Sequence, residues 1–210
     1  MRVLTLTILS LFVITTFAIA KSKQIKNLQD IPMSNSSIKE IKKHRIISST
    51  TVSGTTEKIG DKKIKKQILD LSIAGLHKRT CNHAIPKLFH YEDYKNQIGI
   101  VKMSSYNDKT GKIYILLEAP ILKTHFVMSF KIPRIKKTGL YHFTFDRGFL
   151  KGLVGEIHVS STGNKCLIFT KAHWKGKKSA FPNLIFELFV KTASKMAMTK
   201  LFRISGSRVD

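Results

Sequence analysis

From residue 44 to residue 172 apolar and polar positions mostly alternate, and a side-chain period of two belongs to strands rather than helices. Arg45 to Ser53 is rich in β-branched residues, Ser and Thr. Lys58-Ile-Gly-Asp61 then supplies a turn, and Lys62 to Ala74 is a second run with Ile64, Ile68, Leu71 and Ile73 as apolar positions. Further on the alternation is stronger: Ile98 and Ile100; Ile113, Ile115 and Leu117; Phe126, Met128, Phe130 and Ile132; Tyr141, Phe143 and Phe145; Ile157 and Val159. In the last run Leu167 and Phe169 alternate with Cys166 and Ile168. Asn107-Asp-Lys-Thr-Gly111, Lys136-Lys-Thr-Gly139 and Ser161-Thr-Gly-Asn164 separate these runs with turn residues. Connections this short predict an antiparallel meander, because parallel strands need long crossovers.

Two stretches change period. Cys81 to Tyr94, with Ile85, Leu88 and Phe89, is a short amphipathic segment carrying Pro86. From Pro182 to Arg203 the spacing predicts a long helix with two apolar series. One is Ile185, Leu188, Phe189, Thr192 and Met196; the other is Phe186, Val190, Ala193, Ala197 and Leu201. Glu187, Lys191 and Lys195 form a narrow charged stripe at i, i+4 spacing. A helix this apolar needs a large surface to lie against, and the meander offers one. Residues 21–43 are polar and Lys-rich and read as a solvated leader, in which Ser37-Ile-Lys-Glu40 has the capping-box pattern of one short helix.

The first twenty residues belong outside the fold. A short basic start at Met1-Arg2 precedes an apolar run to Phe17 and the small-x-small site Ala18-Ile-Ala20, the three parts of a secretory signal peptide. Val3 to Ala20 reaches only the low end of the ~17–25 residues that span a bilayer, so cleavage after Ala20 is favoured over anchoring. The expected organisation is residues 1–20 signal peptide, 21–43 leader, 44–204 a single domain and 205–210 a tail. Export places the chain in an oxidising compartment, where Cys81 and Cys166 either form a disulfide or remain two separately buried thiols.

The whole chain of 210 residues carries 37 Lys plus Arg against 13 Asp plus Glu, a net charge of +24. That balance favours anionic partners. The cations are mostly Lys, dispersed along the chain, which suits an anionic membrane surface. Arg forks that read bases are few, so nucleic acid is disfavoured. Phosphate-binding loops, nucleophile elbows and His-Glu-x-x-His are all missing. Asp146, Glu118 and Glu156 stand singly on separate runs, and His83 with His90 makes a pair but not a metal site. No catalytic residue, cofactor or metal is expected from these patterns.

The order strand, short helix, about six antiparallel strands and long C-terminal helix is similar to the START-like (SRPBCC) superfamily, the helix-grip fold of polyketide cyclase-like and coenzyme-Q-binding proteins. Leu71-Ser-Ile-Ala74 with the following helix and Tyr91-Glu-Asp-Tyr94 resembles that family's first strand, first helix and corner. Leu150-Lys-Gly-Leu-Val-Gly-Glu-Ile157 resembles its late strand after a Gly-rich turn, and the C-terminal helix completes the likeness over residues 45–204. The resemblance implies an α+β fold, a curved antiparallel sheet wrapped around the helix, with an apolar space between them that holds a hydrophobic small molecule or lipid. The walls expected are Phe126, Met128, Phe130, Tyr141, Phe143 and Phe145 on strands, with Leu188 and Met196 on the helix. The competing readings are that these rings simply fill a core, that the cavity belongs to a cyclase- or hydrolase-type enzyme, or that the chain is a basic polyanion-binding module.

Overall fold

The computed structural model describes residues 23–119 and 124–207, so the expected signal segment, residues 1–20, lies outside the described residues. Eight strands form one sheet: β1 (Ile47–Ile59), β2 (Lys62–His77), β3 (Val101–Asn107), β4 (Lys112–Ala119), β5 (Thr124–Lys131), β6 (Gly139–Arg147), β7 (Val154–Thr162) and β8 (Lys165–Lys177). Their spatial order is β1-β2-β8-β7-β6-β5-β4-β3, and every adjacent pair is antiparallel. Short turns produce this arrangement. Between β7 and β8, Thr162 pairs with Lys165 across the two residues Gly163 and Asn164. Gly163 has φ +56°, the left-handed conformation that a tight hairpin demands and a glycine adopts at no steric cost.

Among the described residues four α-helices accompany the sheet: α1 (Asn35–Lys42), α2 (Cys81–Leu88), α3 (Tyr94–Gln97) and the long α4 (Asn183–Ile204). α4 lies along β1 and β2 on the concave face. Phe186, Val190, Met198 and Phe202 are its buried residues, and they fix its rotation. On the facing strand Gly75 permits close approach, since a Cβ there would stand 2.4 Å from the Ile46 side chain and 2.9 Å from the Phe202 ring. Glu187 turns toward the sheet edge and accepts the backbone N–H of Val52 at 3.1 Å, covering part of a strand rim that would otherwise be unpaired. The resulting core joins Leu69, Ile73, Ile113, Val159 and Trp174 of the sheet to the buried face of α4.

A second core sits on the opposite, convex face. Ala74 and Leu76 of β2 and Leu167 and Phe169 of β8 are covered there by Ile25, Leu28, Ile31 and Ile41. Residues 25–41 are therefore packed against the sheet, and the solvated leader expected from composition is corrected. The physical reason is that β2 and β8 are apolar on both faces, so water cannot be left against either. The short helix is present as α1, yet its cap is Ser34, whose side chain accepts the Ser37 N–H at 3.3 Å. Glu40 instead pairs with Lys43 at 2.9 Å and with Arg45. At the other terminus Ser205 and Ser207 are fully buried, and Ser207 Oγ accepts the Lys78 N–H at 3.1 Å. The expected tail is thus fixed as far as the described residues extend.

Candidate functional site

Between the concave face and the C-terminal half of α4 lies an apolar cavity of about 200 Å³. Ile73, Ile157, Ile168 and Thr170 form its sheet wall, from β2, β7 and β8. Ser194, Ala197, Met198, Leu201 and Phe202 form its helix wall, while Leu88, Phe89 and Tyr94 close it from the end of α2 and the start of α3. The small Ala197 side chain leaves part of the space open. No Asp, Glu, Lys, Arg or His lines it among the described residues.

Two of its three side-chain hydroxyls are engaged by hydrogen bonds, and the third belongs to Thr170 on the sheet wall. Tyr94 donates its hydroxyl to the Leu88 carbonyl at 2.8 Å, and burial pushes its phenol well above the ordinary range, so it stays un-ionised. Ser194 Oγ donates to the Lys191 carbonyl at 3.1 Å and lies 3.3 Å from Ser48 Oγ. Apart from the Thr170 hydroxyl the lining presents mostly hydrocarbon to an occupant, and an ion placed there would meet no counter-charge.

Two devices hold the cavity ends. Cys81 and Cys166 are joined by a disulfide, with Cα atoms 4.6 Å apart, which ties the start of α2 to β8. At the end of α4, buried His77 accepts the Arg79 N–H on Nδ1 at 3.1 Å. That leaves the proton on Nε2, which donates to Ser205 Oγ at 2.9 Å, and Ser205 Oγ donates to the Leu201 carbonyl at 2.8 Å. Burial lowers the His77 pKa, so the neutral ring that this network needs is the favoured one. Its ring meets Phe202 edge-on at 5.2 Å and so backs the helix wall.

None of the eight residues expected to wall the cavity does so. Leu188 is 56% exposed and faces away from the sheet, and Met196 is half-buried on α4 outside the lining. The correction has a physical cause: of the two apolar series on this helix, the one through Phe186, Val190, Ala197 and Leu201 faces the sheet. The rings of β5 and β6 fill their own end of the concave face. Phe130 stacks on Phe145 with centroids 4.6 Å apart, and Phe143 packs at 6.4 Å from Phe130. Phe126 lies between Phe149 at 5.2 Å and Phe189 at 5.8 Å. Met128 is buried in the same layer, and Tyr141 donates its hydroxyl to the Lys137 carbonyl at 2.8 Å. Phe143 and Met128 are buried, whereas Phe126, Phe130, Tyr141 and Phe145 are half-buried. The residues missed, Ile157, Ile168, Ala197 and Leu201, belong to apolar runs already visible in the sequence; what was lacking was which strands lie beneath the helix.

The isolated acids are ion-pair partners, Asp146 and Glu118 near the surface and Glu156 largely buried. Asp146 pairs with Lys112 at 2.6 Å, Glu118 with Lys102 at 2.6 Å and Glu156 with Lys171 at 3.1 Å. His90 lies beyond α2 and pairs with Asp93, while His83 reaches the Ser205 carbonyl, so the two share no face. Among the described residues no group of three side chains is arranged to hold a metal ion.

No family model matches the sequence, and no curated protein matches it. Solved structures do. A START superfamily protein from Mycobacterium smegmatis superposes with a TM-score of 0.53 at 9% identity, covering 65% of this chain and 96% of that one. The Zhui aromatase/cyclase from Streptomyces sp. R1128 gives 0.55 at 6% identity, covering 66% of this chain and 93% of that one. A conserved protein from Geobacillus kaustophilus gives 0.54 at 14% identity, covering 65% of this chain and 94% of that one. At such identities the shared property is architecture. The chain has the START-like, helix-grip fold, an α+β arrangement of a curved antiparallel sheet around a long C-terminal helix.

Proposed function

We propose that the protein is exported after cleavage behind Ala20, and that it binds a hydrophobic small molecule in the cavity between β2, β7, β8 and α4. The observation that carries this reading is the lining itself, about 200 Å³ of apolar wall with no ionisable group except the occupied Tyr94 hydroxyl. An apolar cavity of roughly 150 Å³ stays dry and takes up benzene, whereas drug-sized ligands occupy roughly 300–1,000 Å³. The occupant is therefore compact and neutral: a small ring system, or the apolar terminus of a lipid whose polar end stays outside. Superposition on a START superfamily protein supports a ligand-binding cavity, and the Cys81–Cys166 disulfide suits an oxidising compartment. A cyclase or hydrolase in the same space would be served by an acid or base side chain, and the lining carries no Asp, Glu, His, Lys or Arg. The Lys surplus supports an anionic membrane surface as a second partner.

Native mass spectrometry with organic extraction of the purified protein tests the proposal. The expected result is a neutral apolar molecule released on denaturation. A protein that is empty and fails to take up any neutral aromatic or isoprenoid probe overturns it. Secreted protein that still carries residues 1–20 overturns the export part.

A further inference from the structure

Apolar residues are seldom left on the solvent stripe of a helix beside a cluster of cations, yet the start of α4 has both. Leu184 is 74% exposed and Leu188 56%, and Ile185 beside them is also exposed. At helical spacing Leu184, Leu188, Lys191 and Lys195 share one stripe, and both lysines are exposed. The same end of the molecule carries the tip of the β1–β2 hairpin and the end of β8. Lys58 pairs with Lys63 across that hairpin, Lys66 pairs with Lys177, and Lys178 donates its N–H to the Lys65 carbonyl at 3.1 Å. Gln67 binds Asn183 at 2.8 Å, which seats the start of α4 against these strands. Lys58, Lys62, Lys63, Lys65, Lys177 and Lys178 are all exposed there. Acidic residues offset them poorly: Glu57 is already paired with Lys66 and Lys175, Glu187 faces the sheet edge, and Asp61 sits in the turn.

We propose that this end of the molecule docks on an anionic lipid surface, with Leu184, Ile185 and Leu188 inserted among the headgroups and the surrounding lysines seated on lipid phosphates and carboxylates. The inference deepens the membrane-partner part of the proposed function and rests on it, while the cavity reading stands apart from it. An exposed apolar helix face flanked by lysines is the composition of an interfacial helix, with each Lys near the surface adding attraction and each inserted apolar side chain adding burial. A second copy of the chain is a poor occupant, because two faces of the same high positive charge repel. A soluble polyanion would satisfy the lysines but has no use for three exposed apolar side chains. Among the described residues no helix is long and apolar enough to cross a membrane, so α4 lies along the surface.

Co-sedimentation with vesicles tests this. The protein is expected to bind phosphatidylcholine vesicles that contain phosphatidylserine, to ignore phosphatidylcholine alone, and to detach as NaCl rises toward ~1 M, where the Debye length falls to about 3 Å. Leu184→Ser with Leu188→Ser should lower partition about tenfold while leaving the unfolding midpoint and heparin retention unchanged. Lys177→Ala with Lys178→Ala should lower it by a similar factor and is the second arm if the leucine variant folds poorly. Wild-type protein that binds neither vesicle sinks the membrane partner altogether. Tight vesicle binding that both variants retain keeps that partner and overturns this face. Heparin retention without vesicle binding assigns the lysines to a soluble polyanion and also overturns the proposal.

Discussion

The backbone N–H of Ile25 donates to Nδ1 of His158 at 3.0 Å, joining residues 133 positions apart on the convex face of the sheet. Ser160 Oγ donates to the Ile25 carbonyl beside it, and Gln24 donates its amide to the Val159 carbonyl at 3.2 Å. Because Nδ1 accepts, the His158 proton resides on Nε2 and points to Glu156 at 3.3 Å. The leader is thus held by a neutral imidazole.

That tautomer makes leader docking sensitive to acid. Burial lowers the His158 pKa, with Glu156 opposing the shift and Lys171 and His142 adding to it, and burial lowers His77 likewise. The unfolded chain therefore binds more protons than the folded one just below the usual histidine value. This stability contribution is complete above about pH 6.5 and is lost as pH falls through the lower folded values. The expected outcome is a denaturant midpoint that declines on acidification, together with faster hydrogen exchange at Ile25. His158→Gln keeps an acceptor without a titrating ring and should flatten the Ile25 response. A midpoint independent of pH between about 7 and 5 would contradict this account.

Filling the cavity should abolish binding without unfolding the protein. Ala197→Leu places three further carbons in open space, so binding of a neutral fluorescent probe should vanish while thermal stability holds or rises. Leu188→Trp, on the solvent face, should leave probe affinity unchanged. Equal loss from both substitutions would mean that the cavity is not where the probe sits.

The two faces of α4 should differ sharply in cost. Phe186 is buried against Phe149 and Trp174, at 5.2 and 5.9 Å between ring centroids, so Phe186→Ala should cost about 3–5 kcal/mol. Leu184→Ala should change stability by no more than about 0.5 kcal/mol. Urea denaturation of the two variants compares them directly.

Removing the disulfide should be costly because it closes a long loop. Cys81 and Cys166 are separated by 85 residues, and the loop-entropy account assigns such a link about 4.5 kcal/mol. Cys81→Ala with Cys166→Ala should lower the denaturant midpoint accordingly and loosen α2, which is read as faster exchange at Ala84 and Ile85. An unchanged midpoint would show that packing alone holds α2 in place.

Periodicity by itself determined most of the strands, their antiparallel sense and the long C-terminal helix, because side-chain spacing and turn chemistry are local properties. The Ile98 and Ile100 run instead lies in the turn before β3, and the pairing of β2 with β8 came only from the tertiary structure. The residues at the corner, Tyr91 to Tyr94, and the element order carried the likeness to the helix-grip fold. What local pattern left open was each choice between faces. α4 has two apolar series, and the one that packs is decided by Glu187 on the β1 edge and by the clearance that Gly75 gives Phe202. β2 and β8 are apolar on both faces, and only their central place in the sheet explains why residues 25–41 return to cover one of them. The aromatic rings of β5 and β6 were the most conspicuous residues for a ligand site, yet the helix lies along β1 and β2, so those rings pack on one another and the cavity opens beneath Ala197. Such choices depend on contacts between residues far apart in the chain, which only the tertiary structure brings together.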